Sequence, residues 1–310
     1  MRFSISIPQR DSDGFDDAGF KSYLARAEEL GFEGGWTLEQ TVGRAPLIAP
    51  LELLAYAAAC TTRLRLGVAV LITSLHDPLQ LAANATAVDR LSHGRLDLGV
   101  APGGGFRKFE AFGVDKKTFI SSFTEGLELM KAAWSDEPNV TFHGRFRDVD
   151  GLPIQPKPVQ RPHPPLWFGG SAPKAVARAV RLGDAFMGAG SSTTANFADA
   201  VKVVRRELDE QGKDASKFRI AKRVYLTVDD DASRARERVL AGLQRIYSDL
   251  PGLDLTAVPV SGTPDDVVRG LREVVDAGAE MILLNPVGAN AVEDREQMER
   301  LAAEVIPQFS

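Results

Sequence analysis

One feature of this chain limits its fold more than any other. Short β-rich runs alternate with longer segments of helical period, and the pair recurs eight times across residues 1–310. The strongest run is Leu64–Ile72 (LRLGVAVLI), apolar on both faces, as a parallel strand covered by helices should be. The other strand candidates are Phe3–Ile7, Gly34–Leu38, Leu96–Val100, Leu166–Phe168, Ala185–Met187, Arg219–Val228 and Met281–Leu284. Between them lie helical patterns such as Asp16–Leu30, where Phe20, Leu24 and Ala27 share one face and Gly31 ends the run. Pro46–Cys60 reads as a helix buried on most sides, and Pro78–Leu91, Thr118–Trp134 and Glu293–Gln308 as further helices. Alternation of this kind predicts a parallel sheet under helices, and eight units favour closure. An open doubly wound sheet is less favoured, because its first-turn GxGxxG fingerprint is absent.

The predicted fold is therefore α/β: an eight-stranded parallel β/α (TIM) barrel, with residues 1–310 forming one domain. Residues 135–165 break the rhythm and read as a surface insertion. Val140, Phe142, Phe146 and Val149 suggest short extended pieces, and five prolines in Gln155–Pro165 exclude helix or central strand. Residues 248–261 read as a loose stretch.

Composition narrows the function classes. The net charge is −5 and the longest basic blocks are short, so the footprint of a nucleic-acid binder is missing. A single cysteine, Cys60, excludes an internal disulfide and the cysteine-based zinc patterns, and no metal site is expected. Cys60 sits in the apolar run Leu53–Cys60, where a buried small hydrophobe is the simpler reading. No window approaches a membrane span, and Met1–Pro8 lacks the apolar core of a signal peptide, so a cytoplasmic enzyme is expected.

Barrel enzymes build their sites from loops after the strands. Here those loops are Thr73–Pro78, the glycine-rich Ala101–Phe106, Gly169–Pro173 and Gly188–Ser192. Glycine lets a backbone approach a ligand closely, and a helix N-terminus binds anions. Gly170 and Ser171, with Pro173 at a helix start, are the best candidates for a phosphate cradle, and Gly188 and Gly190 line a second loop. Each loop alone could be a mere tight turn; three on one face point to a phosphate-bearing ligand. Titratable candidates are few. His76 follows the third strand, and Glu39 and Gln40 follow the second. Lys222 and Arg223 are adjacent in one strand, so alternation turns one inward, either as part of an ion pair or as an anchor for an acidic ligand.

Several motifs, in order, resemble the bacterial-luciferase-like flavin oxidoreductases. They are Thr62–Gly67 (TRLRLG) with Pro78 eleven residues on, Leu91–Val100 (LSHGRLDLGV), Phe109–Gly113 (FEAFG), Pro156–Pro162 followed by Pro165–Gly170 (PLWFGG), and Gly262–Val267 (GTPDDV). The likeness covers nearly the whole chain. It implies the same barrel, and FMN or the deazaflavin coenzyme (F-420) as cofactor. It places the cofactor ring over a bulge at Ala69-Val70, often built on a non-proline cis peptide, and beside the 102–106 turn with Gly103 and Gly104. The phosphate end would lie near Gly170, Ser171, Gly188 and Gly190. Family members commonly carry a histidine where this chain has Gln40 in Glu39-Gln40, so Gln40, Glu39 and His76 are the catalytic candidates. The light-emitting members have a phosphate-binding arginine near the position of Pro102-Gly103, which is absent here and leaves room for the deazaflavin. The leading expectation is a luciferase-like monooxygenase using reduced FMN and oxygen on a small organic substrate. The alternatives are a deazaflavin-dependent hydride-transfer enzyme, a non-catalytic flavin-binding homologue, and an unrelated phosphate-binding barrel lyase or isomerase. A separate flavin reductase would supply reduced cofactor. Residues 135–165 and 248–262 are candidate lids, and helix 46–60 a candidate homodimer face.

Overall fold

A computed structural model describes residues 1–12, 14–104, 109–247 and 254–309. In chain order the elements are β1 (Arg2–Ser6), α1 (Asp17–Glu29), β2 (Gly34–Thr37), α2 (Pro50–Cys60), β3 (Arg65–Ile72), α3 (Pro78–Leu91), β4 (Leu96–Ala101), α4 (Phe119–Trp134), β5 (Asn139–His143), β6 (Asp148–Pro153), β7 (Leu166–Gly169), α5 (Pro173–Leu182), β8 (Ala185–Gly188), α6 (Thr194–Glu210), β9 (Arg219–Val228), α7 (Ala232–Ile246), β10 (Val260–Gly262), α8 (Pro264–Asp276), β11 (Met281–Pro286) and α9 (Ala291–Arg300).

The strands β1, β2, β3, β4, β7, β8, β9 and β11 are parallel neighbours, and the β11–β1 and β8–β9 pairings close them into the expected barrel. Alternation divides each strand into two sets. Leu66, Val68, Leu96, Leu98, Val100, Leu166, Phe168 and Phe186 point out under the helices and are almost fully buried. Each such side chain contributes about 1.5–3 kcal/mol on leaving water. Trp36, Trp167, Ala185, Met187, Ala221, Met281 and Leu283 fill the barrel interior, with Trp36 and Trp167 edge to face at 5.4 Å. Below them Arg65 grips Asp97 with two hydrogen bonds of 2.6 and 3.0 Å, and the Trp167 indole donates to the same carboxylate at 3.0 Å.

The register of β3 against β4 shifts between Val68 and Leu71, so β3 bulges there. Gly99 makes the room: a Cβ on it would lie 2.0 Å from the Val68 carbonyl oxygen. The Ala69–Val70 peptide within the bulge is cis.

Helix starts follow local chemistry. Asp77 caps α3 ahead of Pro78, and Thr263 and Asp266 form a reciprocal capping box ahead of α8, which is the physical content of the GTPDDV motif. Helix α2 begins at Pro50 rather than at Pro46: a proline suits the first helical position, and Ala49 before it is extended. Its Leu51, Leu53, Leu54, Ala57 and Ala58 are buried in the barrel's own core. The segment read as loose before Ser261 holds β10, whose three residues pair with the overhanging end of β9. The run after Glu293 is α9 to Arg300, then a π turn and a 3-10 turn to Phe309. Residues 248–253 of the expected lid, and the end of the 102–106 turn from Gly105, lie outside the described residues.

The insertion forms an antiparallel hairpin, β5–β6. The Glu125 carboxylate on α4 pins its turn by accepting from the N–H groups of Arg145, Phe146 and Arg147, each at 2.7 Å. The proline-rich return is held by Asp89 on α3, which is fully buried and accepts from Val159 N–H (2.6 Å), Gln160 N–H (3.0 Å) and the Gln160 amide (2.8 Å). One glycine in this region has no such constraint. Gly126 lies inside α4, and a Cβ there would meet Pro78 at an ordinary 3.5 Å. Gly126→Ala should therefore raise stability by about 0.5–1 kcal/mol in urea unfolding, because glycine is the poorer helix residue.

Candidate functional site

The mouth of the barrel is built on the β3 bulge. Ala69 and Val70 are half-buried while Gly67, Val68 and Leu71 beside them are buried. Ala101–Gly104 at the end of β4 and Gly169–Gly170 at the end of β7 are half-buried too, so these segments make a floor of small groups and backbone. A Cβ on Gly169 would stand 3.3 Å from Val70 Cγ1, which places the end of β7 against the bulge. Gly103 (φ +83°) and Gly170 (φ +147°) have backbone conformations that favour glycine. Ser171 is exposed, and helix α5 starts after Ala172 with no side-chain cap; Pro173 has no N–H and Ala175 donates to the Ala172 carbonyl at 2.8 Å, which leaves the Lys174 N–H of the first turn for an anion.

The glycines after β8 have a different local role. A Cβ on Gly188 would meet Phe197 of α6 at 2.4 Å, and one on Gly190 would meet Tyr225 at 2.6 Å, so both permit close packing. Their loop is organised by Lys222. Alternation sends Lys222 to the helix side of β9, where its ammonium donates to the carbonyls of Ala189 (2.7 Å) and Ser192 (2.9 Å). Burial, with Arg223 adjacent, lowers its pKa to about 7.

Glu39 and His76, read from separate loops, come together. Glu39 is buried at the end of β2 and its carboxylate accepts from His76 Nε2 (2.8 Å), the Ile72 N–H (2.5 Å) and the Thr41 hydroxyl (2.8 Å). Its own N–H donates to the Val70 carbonyl at 3.3 Å. Glu39 therefore ties Val70 within the bulge to Ile72 just beyond it. Burial alone would raise its pKa, but the His76 hydrogen bond and charge, with the Ile72 N–H and Thr41 hydroxyl, outweigh that and hold it below the usual carboxylate range. A carboxylate so saturated is a poor base and a good positioning residue. The hydrogen bond to Glu39 in turn raises the His76 pKa above its ordinary 6.5, against the pull of burial.

Linkage fixes the sign of the pH dependence. The raised His76 contributes stability fully below 6.5, lost as pH rises through its higher folded value. The lowered Glu39 contributes above 4.5, lost as pH falls through its lower folded value. Both contributions are fully present between 4.5 and 6.5. Thermal melts from pH 4 to 9 should show the gap between the native chain and Glu39→Gln widest in about that interval. A gap that does not vary with pH would exclude the ion pair.

Gln40 stands apart from this pair. It lines a cavity of 410 Å³ over the ends of β1, β2, β9 and β11, with Trp36, Arg223 and Tyr225. His76 instead lines a cavity of 490 Å³ between the loop after β3, α4 and Phe146 and Arg147 of the hairpin. Of the three catalytic candidates, His76 and Gln40 thus line different cavities, while Glu39, bonded to His76, lines neither. Arg223 was legible only as one of an adjacent pair; the strand register turns it inward. Asp294, which also lines the smaller cavity, carried no sequence signal; burial pushes its pKa up to about 6.

The luciferase-like monooxygenase family description matches residues 1–281. The chain belongs to the luciferase-like monooxygenase family. Among individual relatives of this luciferase-like chain, it is 32% identical over 158 residues to the uncharacterized protein y4vJ of Sinorhizobium fredii, a stretch covering 51% of this chain and 45% of that one. It is 37% identical over 120 residues to the uncharacterized protein Mb0978c of Mycobacterium bovis, covering 39% and 42%. The matches span under half the length of these relatives. In three dimensions the luciferase-like barrel superposes on monooxygenase RslO1 from Streptomyces bottropensis over the whole of both chains, with TM-score 0.84 and 24% identity. The coenzyme F420 dependent tetrahydromethanopterin reductase of Methanopyrus kandleri gives 0.81 at 19% identity, again over both whole chains. The FMN-bound oxygenating constituent of 3,6-diketocamphane monooxygenase from Pseudomonas putida gives 0.77 at 18%, covering 99% and 98%. At these identities the three likenesses speak for the fold. Among the described residues no cluster of His, Cys, Asp or Glu could hold a metal, and no helix is long and apolar enough to cross a membrane.

Proposed function

We propose that this chain is a flavin-dependent monooxygenase that acts on a small organic substrate with reduced FMN and oxygen. The observation that carries the reading is the half-buried floor at Ala69 and Val70, where β3 bulges into the mouth between the small residues of Ala101–Gly104 and Gly169–Gly170. A planar ring fits such a floor, and a phosphate fits the uncapped start of α5 beside Gly170 and Ser171. Gly103 and Gly104 would flank the ring, and Gly188 and Gly190 would shape the neighbouring loop. When bound, the cofactor supplies the redox chemistry.

The chain's own residues bind, orient and keep the site dry. Glu39, charged and held by His76, fixes the bulge through Ile72 and Val70. Gln40 reaches the smaller cavity with one acceptor and an amide donor; it orients a substrate by hydrogen bonds and moves no proton. Trp36, Trp167 and Met187 seal the barrel below and exclude water. The hairpin β5–β6 roofs the larger cavity through Phe146 and Arg147. With no second nucleotide fingerprint in the sequence, reduced cofactor would come from a separate reductase. We read the enzyme as cytoplasmic and homodimeric.

A second reading has one observation in its favour. No arginine stands at Pro102-Gly103, where the light-emitting relatives grip the FMN phosphate, and this suits deazaflavin-dependent hydride transfer. Oxygen uptake by the chain mixed with photoreduced FMN and a panel of ketones and aldehydes separates the two. Substrate-stimulated uptake supports the monooxygenase. Absence of stimulation, with reduced F-420 oxidised anaerobically as a substrate is reduced, would replace it by the deazaflavin enzyme.

A further inference from the structure

The smaller cavity carries an unspent charge. Arg223 faces it from the inward side of β9 and is 8% exposed. Its Nε is buried without a hydrogen-bond partner, and the guanidinium forms no ion pair among the described residues. Its stem is held in place: a Cβ on Gly190 would come within 2.9 Å of Arg223 Cδ, so the loop after β8 packs directly on it. A buried cation without a partner is costly, and a native site keeps one where a ligand supplies the missing anion. The wider lining points the same way. Arg10 and Arg245 stand exposed at the rim, against one carboxylate among the described residues, Asp294, which already accepts from the Gly288 N–H at 2.8 Å. Three guanidinium groups face one carboxylate, while Ile7, Trp36 and Leu47 offer apolar wall for an organic body.

We propose that this cavity is the substrate pocket and that the substrate is a small organic anion, a carboxylate or phosphate monoester whose acid group pairs with Arg223. The proposal rests on the flavin-type reading for what happens to the substrate, but the anion preference can be measured without it. A cavity of 410 Å³ suits a compact molecule, and the guanidinium fork suits a bidentate oxyanion.

The test is calorimetric titration of the whole chain, at fixed ionic strength, with benzoate, phenyl phosphate and the neutral benzamide, followed by riboflavin, FMN and F-420. The native chain is expected to bind benzoate or phenyl phosphate at least tenfold more tightly than benzamide. Arg223→Gln should abolish that preference, Arg223→Lys should keep part of it, and both should hold FMN and F-420 affinities within threefold. Equal binding of acid and amide by the native chain, or a preference that survives Arg223→Gln, overturns the proposal. If Arg223→Gln weakens FMN tenfold but leaves riboflavin unchanged, Arg223 serves the cofactor's phosphate and the substrate assignment is wrong. Should that variant not fold, Arg245→Gln at the exposed rim is expected to weaken benzoate about threefold, and an unchanged affinity counts against the cationic pocket. Failure of every flavin to bind sinks the flavin reading alone, since the benzoate-to-benzamide ratio is read independently.

Discussion

Gly99→Ala should unfold at a clearly lower urea concentration than the native chain, with a loss of about 3 kcal/mol. The reason is a collision with backbone, which cannot swing aside as a side chain can. The new methyl would sit 2.0 Å from the Val68 carbonyl oxygen and 3.3 Å from Ala69 Cα, on the strand whose register against β4 shifts at the bulge. Relief requires flattening the bulge or pushing β4 out, and Leu98 and Val100 on β4 are packed with no exposure. The same change should damage the cofactor floor, so flavin affinity should fall at least tenfold even where the variant remains folded. Gly126→Ala, which adds the same methyl in ordinary van der Waals space, is the matched control. A Gly99→Ala variant as stable as the native chain would mean that the bulge does not depend on the missing side chain.

Asp89→Ala should cost a similar amount, about 3 kcal/mol, through a different mechanism. Its fully buried carboxylate is the acceptor for two backbone N–H groups and one side-chain amide of Val159 and Gln160. Alanine leaves those part-buried donors without their acceptor. Gln160 also donates to the Leu96 carbonyl at 2.7 Å, so the start of β4 shares in the loss. Asp89→Asn keeps one good acceptor and should lose only about 1 kcal/mol. Urea midpoints at constant m-value check the ranking. Equal, small losses in both variants would show that the proline-rich return is held by something other than this carboxylate.

These two positions illustrate what the sequence could and could not reveal. The barrel was legible because period and composition are local: Leu64–Ile72 is apolar on both faces, and Pro78 and Thr263-Pro264 announce helix starts. Gly99 was visible within LDLGV, yet its necessity came from a neighbouring strand's carbonyl, which no local pattern encodes. Asp89 carries no local signal within Pro78–Leu91; its role depends on partners about 70 residues away. Glu39 and His76 were both candidates, but their contact spans 37 residues and two loops, and it turned them from separate acids and bases into a brace for the bulge. β10 escaped notice because three residues carry too little period to read, and its strand character is conferred by the free edge of β9. Arg223 was half legible: adjacency guaranteed one inward cation, and register against β8 and β11 chose which.

The most direct measurement is a fluorescence titration of the purified chain with FMN and, separately, with F-420. Saturable one-to-one binding of at least one of them, weakened tenfold or more by Gly99→Ala, is the expected result. Binding of neither would contradict the proposed site and leave the barrel without its cofactor.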